Sequence, residues 1–407
     1  MNIQADRFWD RMMRMAQIGA TPKGGVCRVA LTEEDKVGRE LFIQWCEEVG
    51  CSIRMDQMGN LFARREGLKP ELDAVLVGSH LDSQPTGGKY DGVLGVLAGL
   101  EVVESLNDQN VQTDRAIEIV SWTNEEGARF SPAMIGSGVF AGEFSLEYAY
   151  ARTDKAGIKL GDALEEIGYK GDVVMGESSY AACLELHIEQ GPILETEELP
   201  VGIVKGVQGI RWYDLILTGK ETHAGPSPMS YRKDPMKAAA QIMQSIYEIA
   251  DAYQPDARAT LGYLDAVPGV KNTVPGQVTL SIDLRHPDAE RLSLMDAQLK
   301  KNIKEICEPS GISHQLEEVW YSPPVVFHEK CTEALKNAAT ELKIPHKEMV
   351  SGAGHDSVYL SKVAPTAMLF IPCKDGLSHN ELEHAEKEHA VAATNILLHA
   401  VLQLSKT

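Results

Sequence analysis

In the first half of the chain, short apolar runs alternate with a longer apolar stretch. Residues 74–79 (AVLVGS) and 116–123 (AIEIVSWT) are brief and rich in branched side chains, which predicts strands. Between them, 93–106 (VLGVLAGLEVVESL) is too long and too densely apolar for a half-exposed strand and predicts a helix. Residues 184–188 (LELHI) and 366–371 (TAMLFI) predict two further buried strands. This alternation predicts an α/β fold, a sheet layered by helices.

The texture changes after about residue 206. IRWYDLILTGK reads as an alternating strand, and Asp234-Pro235 supplies an N-cap followed by proline at the first helical position. Met236, Ala239, Ala240, Met243, Ile246 and Ala250 follow at helical spacing. VTLSIDLR (278–285) alternates strictly. Val278, Leu280, Ile282 and Leu284 therefore face a core, while Thr279, Ser281, Asp283 and Arg285 share the other face. A second helix covers 292–307, and Pro323-Pro324 makes a return linker. The expectation is a small α+β domain, 208–324, inserted into a larger domain formed by 1–207 and 325–407.

Composition narrows the partners. The 407 residues are too many for one ordinary core and fit two domains. The net charge of −20 repels phosphate backbones and anionic membrane surfaces, so no nucleic acid and no membrane partner is expected. No apolar run approaches the ~20 residues that cross a bilayer. The start of the chain has no secretory h-region. The seven cysteines are scattered, which suggests reduced thiols and a cytoplasmic location; Cys46 and Cys51 read as buried apolar residues at a helix end.

Candidate chemistry collects at the ends of predicted strands, where α/β sheets place their sites. GSHLDSQPTGGKYDG holds His80, Asp82 and Asp91; TNEEGARF holds Glu125 and Glu126; ELHIEQG holds His187, Glu189 and Gln190; GLSHNE holds His379. His80 and Asp82 are two apart on extended chain, so Asp82 is expected to hold the His80 ring. A lone histidine at a strand end is ordinarily a hydrogen-bonded core or surface residue, and paired glutamates ordinarily start a solvated helix. The recurrence of imidazoles and acids after successive buried strands favours a metal site instead. Imidazole plus carboxylate suits Zn²⁺, Mn²⁺, Co²⁺ or Ni²⁺, and five such ligands with one bridging carboxylate suit two ions. GSGVFA (136–141) follows no apolar strand and is a poor dinucleotide fingerprint, and the chain carries neither a nucleophile elbow nor a P-loop.

These segments, with THAGPSPMSYRKD, NTVPG and SGAGHD, resemble in order and over nearly the whole chain the M20-type dinuclear metallohydrolases. The amidase branch is the most similar: N-carbamoyl-L-amino-acid hydrolases, with allantoate amidohydrolases and β-ureidopropionases nearby. The resemblance implies a phosphorylase/hydrolase-like catalytic domain, a mixed sheet sandwiched by helices, and an inserted lid that also dimerises. It implies two divalent ions per subunit. His80 and His187 would each ligate a metal, Asp91 would bridge, and Glu126 and His379 would complete the other metal's shell. Glu125 would be the general acid/base, with Asp82 the carboxylate behind His80. His223 would reach a neighbouring subunit's site as a donor in catalysis, and Gln190, His223, Asn272, Arg285 and Gly354 would hold substrate. The polar-face position of Arg285 agrees with a carboxylate-binding role, although Asp283 on the same face offers it an ordinary salt bridge. His355-Asp356 is read as structural, because the ligand set is complete without it.

The implied reaction is hydrolysis of the ureido carbonyl of an N-carbamoyl-L-amino acid, a small carboxylate-bearing substrate, by a homodimeric enzyme. Within the superfamily the alternatives are allantoate amidohydrolase, β-ureidopropionase, or an aminoacylase or dipeptidase. From another class, the alternative is a non-catalytic ligand-binding homologue.

Overall fold

The computed structural model describes residues 1–174 and 179–407. The chain divides into two compact units, Met1–Lys205 with Val326–Thr407, and Gly206–Val325. Among the described residues no helix is long and apolar enough to cross a membrane.

The larger unit is built on a nine-stranded mixed sheet. Among the described residues its strands run in the order Ser52–Met55, Leu61–Arg65, Ile117–Trp122, Ala74–His80, Tyr180–Ile188, Thr366–Ile371, Val201–Val207, Val325–Val326, and His346–Ser351 also pairs with Val201–Val207. The central strands are parallel: Ala74–His80 lies between Ile117–Trp122 and Tyr180–Ile188, and Thr366–Ile371 follows. All residues of Ala74–His80, Ile117–Trp122 and Thr366–Ile371 are buried, as expected for strands covered on both faces. The antiparallel neighbour Leu61–Arg65 makes the sheet mixed. Val93–Asp108 and Lys387–Leu404 pack on this sheet and are apolar around most of their circumference.

Register brings chemistry together here. Val77 pairs with Leu184 in the parallel ladder. Three residues further along each strand come His80 and His187, whose ring centroids are 5.9 Å apart.

The smaller unit is an antiparallel sheet covered by two helices. Gln277–His286 pairs with Gly209–Thr218, which pairs with Ser313–Ser322; Leu264–Val267 and Arg258–Thr260 pair with Gln277–His286. Val278, Leu280, Ile282 and Leu284 are buried and join Leu215, Leu217, Met295 and Leu299 in one core. The helix Pro235–Ala252 starts where its N-cap predicts, with the Asp234 carboxylate accepting from the amides of Met236 and Lys237. Its buried stripe differs from the expected one. Ala238, Ile242 and Ile249 are buried, whereas Ala240 is exposed. Adjacent helical residues point about 100° apart, so of the three successive alanines only two reach the core.

Candidate metal centre

The strand Ala74–His80 ends in His80, and the turn that follows carries Asp82 and Gln84. The glycine-rich segment after it brings Asp91 to the start of the helix Val93–Asp108. Gly92, at φ +70°, is required there: a Cβ would lie 2.4 Å from Cε1 and Nε2 of His80. Glu125 and Glu126 follow Ile117–Trp122, His187 sits near the end of Tyr180–Ile188, and His379 lies in the loop after Thr366–Ile371.

These residues converge into two trios that share Asp91. His80, Asp91 and His187 form one, and Asp91, Glu126 and His379 the other, with donor atoms of each trio within 4.8 Å of one another. Asp91 Oδ1 lies 3.1 Å from His187 Nε2 and 3.4 Å from His80 Nε2. Its Oδ2 lies 3.7 Å from His379 Nε2, which is in turn 3.2 Å from Glu126 Oε2. One carboxylate thus turns one oxygen to each trio. The Nδ1–H of His80 donates to the carbonyl of Asp82 and that of His187 to the carbonyl of Ile188, each at 2.9 Å. Both rings therefore present Nε2 inward, the arrangement a metal-ligating imidazole needs. The residues fit divalent-cation binding: three imidazole nitrogens and two carboxylates, with Asp91 common to both trios.

Glu125 Oε2 is 3.4 Å from His80 Nε2. Burial pushes the Glu125 carboxyl well above its usual range; His80 opposes the shift, while Asp356, Glu126 and Asp82 add to it. Burial disfavours charge on His80, yet Glu125, Asp91 and Asp82 together hold its pKa well above the ordinary value. The adjacent glutamates lie in a turn, with Glu125 buried, and not at a solvated helix start.

Asp82 departs from the expected role. Its Oδ1 is 3.8 Å from His80 Nδ1, and its main-chain carbonyl is what accepts from the ring. The carboxylate instead accepts the amide hydrogens of Glu125 and Glu126, each at 3.2 Å. The carboxylate stays beside the ring, 3.8 Å from Nδ1, while its hydrogen bonds go to the neighbouring loop. Burial raises Asp82 to about 6.

Gln190 adopts φ +57°, and its Nε2 donates to Asp91 Oδ2 at 2.8 Å and to Ser378 Oγ at 3.1 Å. Ser378 Oγ donates to the same Asp91 oxygen at 2.7 Å. Gly354 stands beside Met134, whose Cε would lie 3.0 Å from a Cβ at that position. His355 is buried, its ring centroid 4.6 Å from that of His187 and its Nε2 against Ser351 Oγ. Asp356 accepts from Ser137 Oγ. The Glu189 carboxylate accepts from the amides of Ile193 and Leu194, which makes it a local cap.

His223, Asn272 and Arg285 belong to the smaller unit. Thr222–His223 pairs with Thr273–Val274, and the carbonyl of Asn272 accepts from the amide of Ala224, so His223 and Asn272 become neighbours despite their separation in sequence. His223 Nδ1 accepts from the Gly225 amide. Arg285 lies on the polar face of its strand, paired with Asp283.

Several supporting residues were not singled out by the sequence pattern. Gln84 and Ser378 hold Glu126 and Asp91. Buried Glu383 accepts from the amides of Tyr90 and Asp91 through Oε1, at 2.9 and 3.2 Å. Gly88 has no room for a side chain, because a Cβ would lie 1.9 Å from Glu383 Cδ. Buried Arg28 donates to the carbonyl of Leu81 at 2.7 Å and steadies the turn that carries Asp82. Ser378 and Glu383 flank His379 in GLSHNELE, and Gln84 lies two residues after Asp82. That proximity to candidate ligands was the available clue.

Residues 76–403 match the model of peptidase family M20/M25/M40. The chain is 46% identical over 404 residues to an N-carbamoyl-L-amino-acid amidohydrolase of Rhizobium meliloti, covering 99% of this chain and 97% of the relative. It is 38% identical to the corresponding protein of Geobacillus stearothermophilus, covering 99% of both chains. A crystal structure of a hydantoinase/carbamoylase-family amidase from Burkholderia multivorans superposes with a TM-score of 0.97 at 48% identity, covering 100% of this chain and 99% of the other. By sequence and by fold alike, the chain belongs to the peptidase M20/M25/M40 family, in the company of its carbamoylase-type amidases.

Proposed function

We propose that this protein is a metal-dependent amidohydrolase that converts N-carbamoyl-L-amino acids to L-amino acids, carbon dioxide and ammonia. The observation that carries this reading is the pair of trios sharing Asp91 beside buried Glu125, in a chain whose full-length relatives are carbamoylases. His80, Asp91 and His187 would hold one divalent ion, and Asp91, Glu126 and His379 the second. Zinc, manganese, cobalt and nickel all suit these donors. When bound, such ions supply Lewis-acid chemistry, polarising a carbonyl oxygen and acidifying water.

The remaining work falls to the chain. Glu125 takes a proton from the attacking water and returns it to the leaving amine nitrogen as the C–N bond breaks. Its raised pKa suits a group that must both accept and donate. The released carbamic acid decomposes to carbon dioxide and ammonia. Asp82 keeps Glu125 in place through its backbone amide. Arg285 and Asn272 grip the substrate carboxylate, His223 donates a hydrogen bond to the developing oxyanion, and Gln190 and Gly354 contact the substrate.

The insert supplies these grips, and the reading includes its role as a lid and as the joint of a homodimer. Support for that part is the family pattern, and light scattering of the native protein checks the dimer. All seven cysteines are free, in keeping with a reducing, cytoplasmic setting. The test is a panel of N-carbamoyl-L-amino acids, allantoate, a β-ureido acid and N-acetyl amino acids with metal-reconstituted protein. Ammonia release from the first group in preference to the others is the expected result. Turnover of allantoate alone would replace the reading, and tight binding without turnover would make the protein a non-catalytic binder.

A further inference from the structure

We propose that Gln84 is a positioning residue that sets the cation affinity of the Asp91–Glu126–His379 trio by holding both oxygens of Glu126; this rests on the metal-dependent reading above. The backbone amide of Gln84 donates to Glu126 Oε1 at 3.1 Å, and its side-chain Nε2 donates to Glu126 Oε2 at 2.8 Å. Nε2 also reaches the main-chain carbonyl of Glu126 at 3.4 Å. Two residues earlier, Asp82 Oδ2 accepts the Glu126 amide hydrogen at 3.2 Å. The turn after His80 therefore grips Glu126 at its backbone and at its tip.

The two trios differ in what holds them without such help. His80, Asp91 and His187 are all buried, and packing fixes their rotamers. The Glu126 side chain is 4% exposed but long and flexible, and the His379 side chain is 51% exposed on a loop. A free glutamate side chain gives up up to ~2 kcal/mol of rotamer entropy when it is fixed. Gln84 settles that cost before a cation arrives and leaves the other lone pairs of Glu126 facing Asp91 and His379. Glutamine meets the requirement because it is long enough to reach, donates rather than accepts, and is neutral. A lysine would compete with the cation, and a glutamate would repel Glu126.

The experiment titrates metal-free wild type, Gln84→Met and Gln84→Ala with Mn²⁺ by calorimetry and follows thermal unfolding of the metal-free proteins. Methionine keeps the length of the side chain and removes the donor. The expected result is two equivalents in wild type, with one of them weakened about 10–100-fold in both variants, the other unchanged, and the metal-free melting temperature unmoved. In a Glu126→Ala background, Gln84→Met should have no further effect, because the residue acts through Glu126. Unchanged binding, equal weakening of both equivalents, or the same added loss in the Glu126→Ala background would each overturn the inference while leaving the functional reading intact. Wild type that binds fewer than two equivalents overturns the dinuclear reading, and this inference with it.

Discussion

Arg285 donates to the carboxylate of Asp283 through Nε, 3.0 Å from Oδ1, and through Nη2, 2.8 Å from Oδ2, two residues away on the same face of Gln277–His286. The aspartate holds the side-on edge of the guanidinium and fixes the plane of the fork. A charge-assisted hydrogen bond is worth about 1.5–3 kcal/mol. Arg285→Ala should therefore raise KM for carboxylate-bearing substrates roughly 10–100-fold with little change in kcat. Asp283→Asn should raise it less. Unchanged KM in Arg285→Ala removes Arg285 as the anchor.

Glu125→Gln preserves size and removes the proton acceptor. Turnover should fall about 10²–10⁴-fold while Mn²⁺ binding stays as in wild type. Comparable activity in this variant would hand the proton-transfer role to another group.

Removal of the cations should be reversible and complete in its effect. After exhaustive dialysis against a chelator, ammonia release should cease, and addition of Mn²⁺, Co²⁺, Ni²⁺ or Zn²⁺ should restore it. Full activity after chelation would show that the five donors do not serve catalysis.

Burial raises Asp56 from 3.8 to about 6, although amide hydrogens from Met58 and Asn60 oppose the shift. The folded state thus binds this proton more tightly than the unfolded state. Its contribution to stability is fully present below about 3.8 and is lost as pH rises through about 6. A shift of this size corresponds to about 3 kcal/mol. Unfolding free energy compared between wild type and Asp56→Asn in chemical denaturation should show a steeper fall from pH 4 to 6.5 in wild type. Parallel slopes would show that Asp56 titrates normally.

Six of the seven free cysteines are buried and only Cys27 is partly accessible. Burial raises the thiols of Cys51 and Cys331 to about 11 and that of Cys373 to about 12. An aromatic disulfide reagent at neutral pH should modify at most about one thiol in the native protein and all seven after denaturation. Rapid reaction of several native thiols would contradict the packing described.

What the chain by itself determined is what depends on local periodicity and residue chemistry. Continuous apolar runs marked Ala74–His80 and Thr366–Ile371 as buried strands, the strict alternation in Gln277–His286 assigned its two faces, and Asp234 marked a helix start. Histidines and acids after successive strands marked a metal site, because few other sites use that donor set. The tertiary structure alone decided which partner each polar atom takes. The Asp82 carboxylate takes the amides of Glu125 and Glu126, while its main-chain carbonyl takes the ring N–H of His80. Gln190 and Ser378 meet on Asp91 from segments 188 residues apart, and Glu383 reaches back 292 residues to the Asp91 amide. Such bonds depend on register between strands distant in sequence and on the path of turns, neither of which a residue pattern encodes. The donor types were therefore legible along the chain, while their orientation and support came from packing.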